Sequence, residues 1–235
     1  MNKEEFKKEL KKLKIELTEE QKKQFEIYKD FLIEYNTHTN LTAIKEEKEI
    51  YLKHFYDSLT MNEFIKDNKK ILDIGTGAGF PGMVLALLHP NCHFVLLDSN
   101  NKKTTFLKLL KEKLNVTNVE IVHARAEEYV SHHKEEFDIV TSRAVAELRI
   151  LAELSLPALK IRGHFIPLKA NIENEFLLFL ESLEELKGKL IETKDFYLPI
   201  ENSKRTILVV EHFSHTFEIY PRCYDKILKK PLVKK

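Results

Sequence analysis

Hydrophobic positions along the chain change their spacing near residue 70. Before it, Phe6, Leu10, Leu13 and Leu17 recur at helical intervals. Phe25, Tyr28, Phe31, Leu32 and Tyr35 do the same after a Thr18-x-x-Gln21 capping box, so the spacing predicts two helices. A third amphipathic helix is expected over Glu47 to Met61. Beyond Lys70 the pattern breaks into short apolar runs separated by helical stretches. The runs are Ile71 to Gly75, Phe94 to Asp98, Val119 to His123, Phe137 to Ser142 and His164 to Leu168. This alternation predicts βαβ units around a parallel sheet. Two later runs, Leu190 to Leu198 and Arg205 to Phe213, read as strands joined by a hairpin across Glu201 to Ser203 that closes the sheet edge. No internal repeat or low-complexity linker divides the chain. Residues 1–69 are therefore expected to form a helical extension packed on an α/β unit of residues 70–235.

Composition narrows this picture. With 235 residues and 43% hydrophobic content the chain can bury one sizeable α/β core. No apolar run approaches the ~18 residues needed to span a membrane, and the charged Met1 to Lys23 does not resemble a signal peptide, so a soluble cytoplasmic protein is expected. Cys92 and Cys223 offer neither a disulfide framework nor metal-ligand spacing, so no metal is expected. The net charge of +1 speaks against a uniformly basic nucleic-acid binder. From Arg222 to Lys235, however, six basic residues stand against one acid, enough to leave an electrostatic footprint on a phosphate backbone. Only six of the 38 basic residues are arginine, which singles out Arg125, Arg143 and Arg222 for the bidentate contacts that lysine cannot make.

The segment ILDIGTGAGFPG, Ile71 to Gly82, carries the chemistry. A buried strand runs into a turn where Gly75, Gly77 and Gly79 let the backbone bend tightly and approach a ligand, and Pro81 suits the first turn of the helix that follows. Gly77, Gly79 and Gly82 match the dinucleotide pattern G-x-G-x-x-G, but the strand ends at Gly75. The register that fits is D-x-G-x-G-x-G from Asp73, the motif of S-adenosylmethionine-dependent methyltransferases. A carboxylate at Asp73 also tolerates a sulfonium and an ammonium better than two phosphates.

Ligands of open α/β sheets lie beyond the carboxyl ends of the strands, so the residues there are read together. Asp98, after the second strand, can accept hydrogen bonds from both ribose hydroxyls. Arg125, Ala126 and Glu127 follow the third strand, where adenine is held, and Ser142, Arg143 and Ala144 follow the fourth, facing the methionine end and the substrate. Thr141 to Ala144 reads TSRA, which lacks the D/N-P-P-Y/F turn of amino-group methyltransferases, and neither cysteine sits where a cytosine C-5 enzyme needs its nucleophile. The acceptor is then one that is already nucleophilic, such as a ring nitrogen. His54 and Asp57 fall on one helical face and read as a hydrogen-bonded surface pair rather than an acid/base pair, because no nucleophile stands beside them. Phe80 is apolar inside a turn, suited either to anchor the core or to pack against the cofactor.

Seven ordered motifs resemble the RsmG (GidB) family of bacterial small-subunit ribosomal RNA methyltransferases. They are NLTAI at Asn40, His54 with DSL at Asp57, DIGTGAGFPG at Asp73, KKTTFL at Lys102, RAEE at Arg125, SRAVA at Ser142 and YPR at Tyr220. The resemblance implies a Rossmann-like class I fold with a mostly parallel seven-stranded sheet and an N-terminal helical extension. It also implies S-adenosylmethionine as cofactor and the N7 position of a guanine in 16S ribosomal RNA, free or in the small ribosomal subunit, as acceptor. No general base is expected for that reaction. Gly75, Gly77, Phe80, Asp98, Ala126, Glu127 and Arg143 carry over as the cofactor site, and Lys169 and Arg222 as RNA contacts. The chain departs from the family at Ala170, where LKG is usual, and at Cys223, Asp225 and Ile227, where the tail usually reads PRK-x-G-x-P. A small-molecule methyltransferase of the same fold, or an RNA-binding module with a vestigial loop, are the alternatives.

Overall fold

The computed structural model describes residues 1–143 and 146–232. Ala144 and the last two lysines of the basic tail thus lie outside the described residues. Two capped helices open the chain: α1, Lys3–Lys12, and α2, Glu19–Thr39, whose Thr18/Gln21 capping box forms as the sequence indicates. The expected third helix is one continuous rod built of α3 (Glu47–Glu49), a π-helical segment (Ile50–Tyr56) and α4 (Asp57–Leu59). The wider turn in its middle is a departure from the expected regular helix, and such turns occur often at functional sites.

The sheet follows. Strand β1, Lys70–Ile74, leads through the glycine turn to α5, Gly82–Leu88, then β2, His93–Asp98, and α6, Asn101–Leu114. The alternation continues with β3, Val119–His123, α7, Ala126–His132, β4, Phe137–Arg143, and α8, Leu148–Ser155. It ends with β5, Leu159–Lys169, α9, Phe176–Glu185, the hairpin β6, Gly188–Tyr197, and β7, Lys204–His212, and a final α10, Tyr224–Lys229. The strand order is β3-β2-β1-β4-β5-β7-β6, parallel except where β7 runs against β5 and β6. The chain reverses its direction of winding between β1 and β4, and a crevice opens there at the carboxyl ends of the strands. Strand β5 begins five residues earlier than the apolar run at His164, because Arg162 (φ 67°) and Gly163 kink the strand without ending it.

Strand side chains alternate between two cores. Ile71, Phe94, Leu96 and Ile139 face a cluster shared with α1, α2, the π-helical segment, α5 and α6. Leu72, Val95, Leu97 and Val140 face the other, with α8, α9 and Ile227 of α10. On the first face Phe6, Phe25, Tyr28, Tyr51 and Phe55 meet ring to ring at 5.0–6.4 Å. Each such contact contributes roughly 0.5–1.5 kcal/mol beyond burial, so the N-terminal helices are cemented to one another.

Candidate functional site

The glycine turn is shaped from behind. Gly75, Gly77 and Gly79 all take positive φ (68°, 63° and 100°). At Gly79 a Cβ would stand 2.4 Å from the Tyr28 hydroxyl, whereas at Gly77 it would meet nothing nearer than the Gly75 carbonyl oxygen at 4.0 Å. The Tyr28 hydroxyl, delivered by α2, donates to the Ala78 carbonyl at 2.5 Å. Asp73 also works from behind. It is fully buried, its Oδ2 accepts from Gly82 N–H at 2.8 Å, and burial pushes its carboxyl up to about 6. Asp73 therefore pins the start of α5 rather than facing a bound sulfonium, which corrects the electrostatic role read from the motif.

Three strand ends complete the crevice. Asp98, at the end of β2, accepts from Gly77 N–H at 2.9 Å and from Asn100 N–H at 2.8 Å, with Lys103 Nζ at 3.7 Å. Each carboxylate oxygen keeps a second lone pair for a ligand. After β3, Arg125 Nε donates to Glu127 Oε1 at 2.8 Å and the guanidinium lies 4.4 Å over the ring of Tyr224 from α10. At the end of β4, Arg143 donates to the Lys53 carbonyl (2.6 Å), Asp57 Oδ2 (3.3 Å) and His54 Nδ1 (3.1 Å). Asp57 in turn accepts from Arg205 of β7 at 3.1 Å. An arginine only donates, so His54 Nδ1 holds the lone pair and Nε2–H donates to Thr42 Oγ1 at 3.1 Å. Burial and the Arg143 charge push His54 down to about 3 and keep it neutral. Phe80 lies nearly parallel to both His54 (4.2 Å) and Tyr28 (5.4 Å), with Arg143 5.2 Å from its centroid.

These groups line one cavity of about 520 Å³. Gly75, Gly77, Phe80, Asp98, Ala126, Glu127 and Arg143 all contribute to its wall. Ser142, read as facing the site, is instead fully buried. His54 and Asp57 are not a surface pair: both are buried, and the π-helical turn and the start of α4 aim them at Arg143. The two expected RNA contacts also turn inward. Arg222 grips the fully buried Glu153 through N–H, Nε and Nη2 at 2.6–3.0 Å. Lys169 Nζ binds Glu175 (2.9 Å) and the Ala146 carbonyl (2.7 Å). Their charges serve the tail and the loop after β4, while Lys226, Lys229 and Lys230 stand exposed on α10 and just past it. Thr42, Lys103 and Tyr224 line the cavity without having been singled out. The NLTAI and KKTTFL motifs hold the first two, but nothing local in the sequence marks Tyr224. Cys92 also gains neighbours that its distance from Cys223 did not suggest, namely Asp67 and His89.

A family model described as "rRNA small subunit methyltransferase G" matches residues 21–197. Curated relatives named "Ribosomal RNA small subunit methyltransferase G" are similar over almost the whole chain. The one from Macrococcus caseolyticus is 45% identical, covering 100% of both chains. The one from Bacillus subtilis is 43% identical over 99% of each. Among solved structures, a SAM-dependent methyltransferase from Aquifex aeolicus superposes with a TM-score of 0.56 at 14% identity, over 74% of this chain and 97% of that one. The M. jannaschii protein TYW2, solved in complex with AdoMet, also gives 0.56 at 16% identity, over 67% and 75%. Likenesses this remote show the fold.

Proposed function

This chain belongs to the GidB family of small-subunit ribosomal RNA methyltransferases. On that premise we propose that its cavity holds S-adenosylmethionine and that it methylates N7 of a guanine in 16S ribosomal RNA. The observation that carries this is the convergence of the glycine turn, Asp98, Ala126, Glu127 and Arg143 on one crevice at the switch point of the sheet. The residues present fit the cofactor. Gly77 leaves open the space that a side chain would fill, and Asp98 keeps lone pairs for two ribose hydroxyls. Ala126 and Glu127 form the wall for the adenine, and Arg143 supplies a fixed cation for the methionine carboxylate. Phe80, clamped among Tyr28, His54 and Arg143, is a rigid wall beside that end.

When bound, the cofactor supplies an electrophilic methyl group. Guanine N7 carries a lone pair in the ring plane and no proton, so the protein has none to remove. Its residues align the partners at about 3–3.5 Å and in line, which can supply roughly 7–11 kcal/mol of the barrier. Arg143, already surrounded by Lys53, His54 and Asp57, holds the cofactor rather than the target base, whose ring becomes positive as the bond forms. The RNA backbone is met by the exposed lysines of α10, next to Tyr224 at the cavity rim. The substrate is free 16S RNA or the small ribosomal subunit, in the cytoplasm.

Tritiated S-adenosylmethionine incubated with small-subunit RNA from cells lacking the gene tests this. Label should enter 16S RNA and not small-molecule acceptors. Calorimetry should show S-adenosylhomocysteine binding where NAD does not. Binding without transfer would reduce the chain to an RNA-binding module, and transfer only to small molecules would move it to another substrate class.

A further inference from the structure

At the end of the sheet opposite the cavity, Asp67, His89 and Cys92 come together with one donor atom from each within 4.8 Å of the others. We propose that these three residues bind a divalent transition-metal ion of the zinc class, clamping the segment that enters β1 against the turn that enters β2. The donor set of one thiolate, one imidazole and one carboxylate suits zinc and excludes magnesium or calcium, which favour oxygen cages. Donors around tetrahedral zinc stand roughly 3.3–3.6 Å apart, given bonds of about 2.0–2.3 Å. The cluster must close by about 1 Å, and Asp67, exposed on its loop, can do so. Its exposure also provides an entry path and room for a water at the fourth position.

Two features prepare the site. His89 and Cys92 form an H-x-x-C turn, closed by Cys92 N–H donating to the His89 carbonyl at 3.0 Å. The Asn118 amide fixes that turn by donating to the carbonyls of Ala86 (3.2 Å), His89 (3.0 Å) and Cys92 (3.1 Å). His89 Nε2 sits 2.9 Å from Asn62 Oδ1, which can only accept, so the neutral ring keeps its lone pair at Nδ1. A ligating histidine whose other nitrogen donates to an oxygen is the usual arrangement of a metal site. The Cys92 thiol, buried and 3.1 Å from the Lys66 carbonyl, loses its proton to solvent when the metal–sulfur bond forms. Burial pushes the Cys92 thiol up, and backbone hydrogen bonds from Lys69 and Asn68 offset part of that, so it is the metal–sulfur bond that makes the thiolate.

The full-length chain, reduced and stripped with a chelator, should bind one equivalent of Co²⁺ with a near-ultraviolet thiolate-to-cobalt band that Zn²⁺ displaces. Cys92→Ser should abolish the band and Cys223→Ser should retain it. Asp67→Asn and His89→Asn should weaken Zn²⁺ binding at least 10-fold, and Asn62→Ala should do so by about 10–100-fold, the scale of an orienting partner. Asp67 is exposed, so its variant keeps the test decisive even if Cys92→Ser fails to fold. Absence of the band, its loss in Cys223→Ser, or equal Zn²⁺ affinity in Asp67→Asn and wild type would overturn the proposal.

Discussion

Arg143 shows what single residues contribute and what they conceal. Its position after a strand is visible in the sequence, but its partners Lys53, His54 and Asp57 lie 86 to 90 residues away and meet it only through the tertiary fold. The glycines are the opposite case, because a need for positive φ is local and shows in the residue type itself. Asp98 belongs partly to each class. Its strand-end place is legible, while its bonds to Gly77 and Asn100 are not. Asp98→Ala should weaken S-adenosylhomocysteine binding by about 1.5–3 kcal/mol, roughly 10- to 150-fold, the scale of hydrogen bonds to a charged group. Calorimetry giving unchanged affinity would remove Asp98 from the site. His54, pushed down to about 3 by burial and Arg143, stays neutral across the working range. The single-turnover methylation rate should therefore be nearly flat from about pH 6 to 8.5, spanning the ordinary histidine range. A loss of rate below pH 7 that vanished in His54→Gln would instead show a titrating base.

Elements explain why the two carried-over RNA contacts face inward. Arg222 lies two residues before α10, and α10 seats Ile227 in the core and Tyr224 at the cavity, so the Glu153 carboxylate of α8 meets the arginine as the helix docks. A basic tail read from composition alone cannot reveal this pairing, because Glu153 lies 69 residues back in the chain. Arg222→Ala should leave a buried carboxylate unpaired and cost about 3–5 kcal/mol of stability, read from urea unfolding. Unchanged stability together with lost RNA affinity would restore Arg222 as a phosphate contact. Strand positions were largely legible because a short apolar run bounded by turn residues is a local signal, and strands buried on both faces read as such runs. The start of β5 and the π-helical turn were not, since one depends on a kink at Arg162 and the other on packing around His54 and Asp57.

On the scale of the whole molecule, the sheet order places the crevice and the ionisable groups set its pH limits. The alternating pattern implied a parallel sheet with an edge hairpin; that β7 rather than β6 lies next to β5 follows from pairing that no single segment encodes. Burial lowers His54, His89, His164 and His212 below the ordinary histidine value. Such groups bind protons in the unfolded chain before they do in the folded one, so stability is full above about pH 6.5 and falls as the pH drops towards the folded values. For His54 alone the loss is about 1.4 kcal/mol per pH unit between about 6.5 and 3. Asp73 and Asp57, raised by burial, act in the opposite sense, but four histidines outweigh two carboxyls. The urea midpoint should therefore fall between pH 7 and pH 5, and a flat or rising midpoint would show that the histidines are solvated. The central claim concerns what the assembled molecule does to RNA. Its most direct test is nucleoside analysis of 16S RNA from cells lacking the gene, after incubation with the purified chain and labelled S-adenosylmethionine. The label should be recovered as 7-methylguanosine, at a rate strongly reduced by Asp98→Ala. Label in any other nucleoside, or none in RNA at all, would contradict the account.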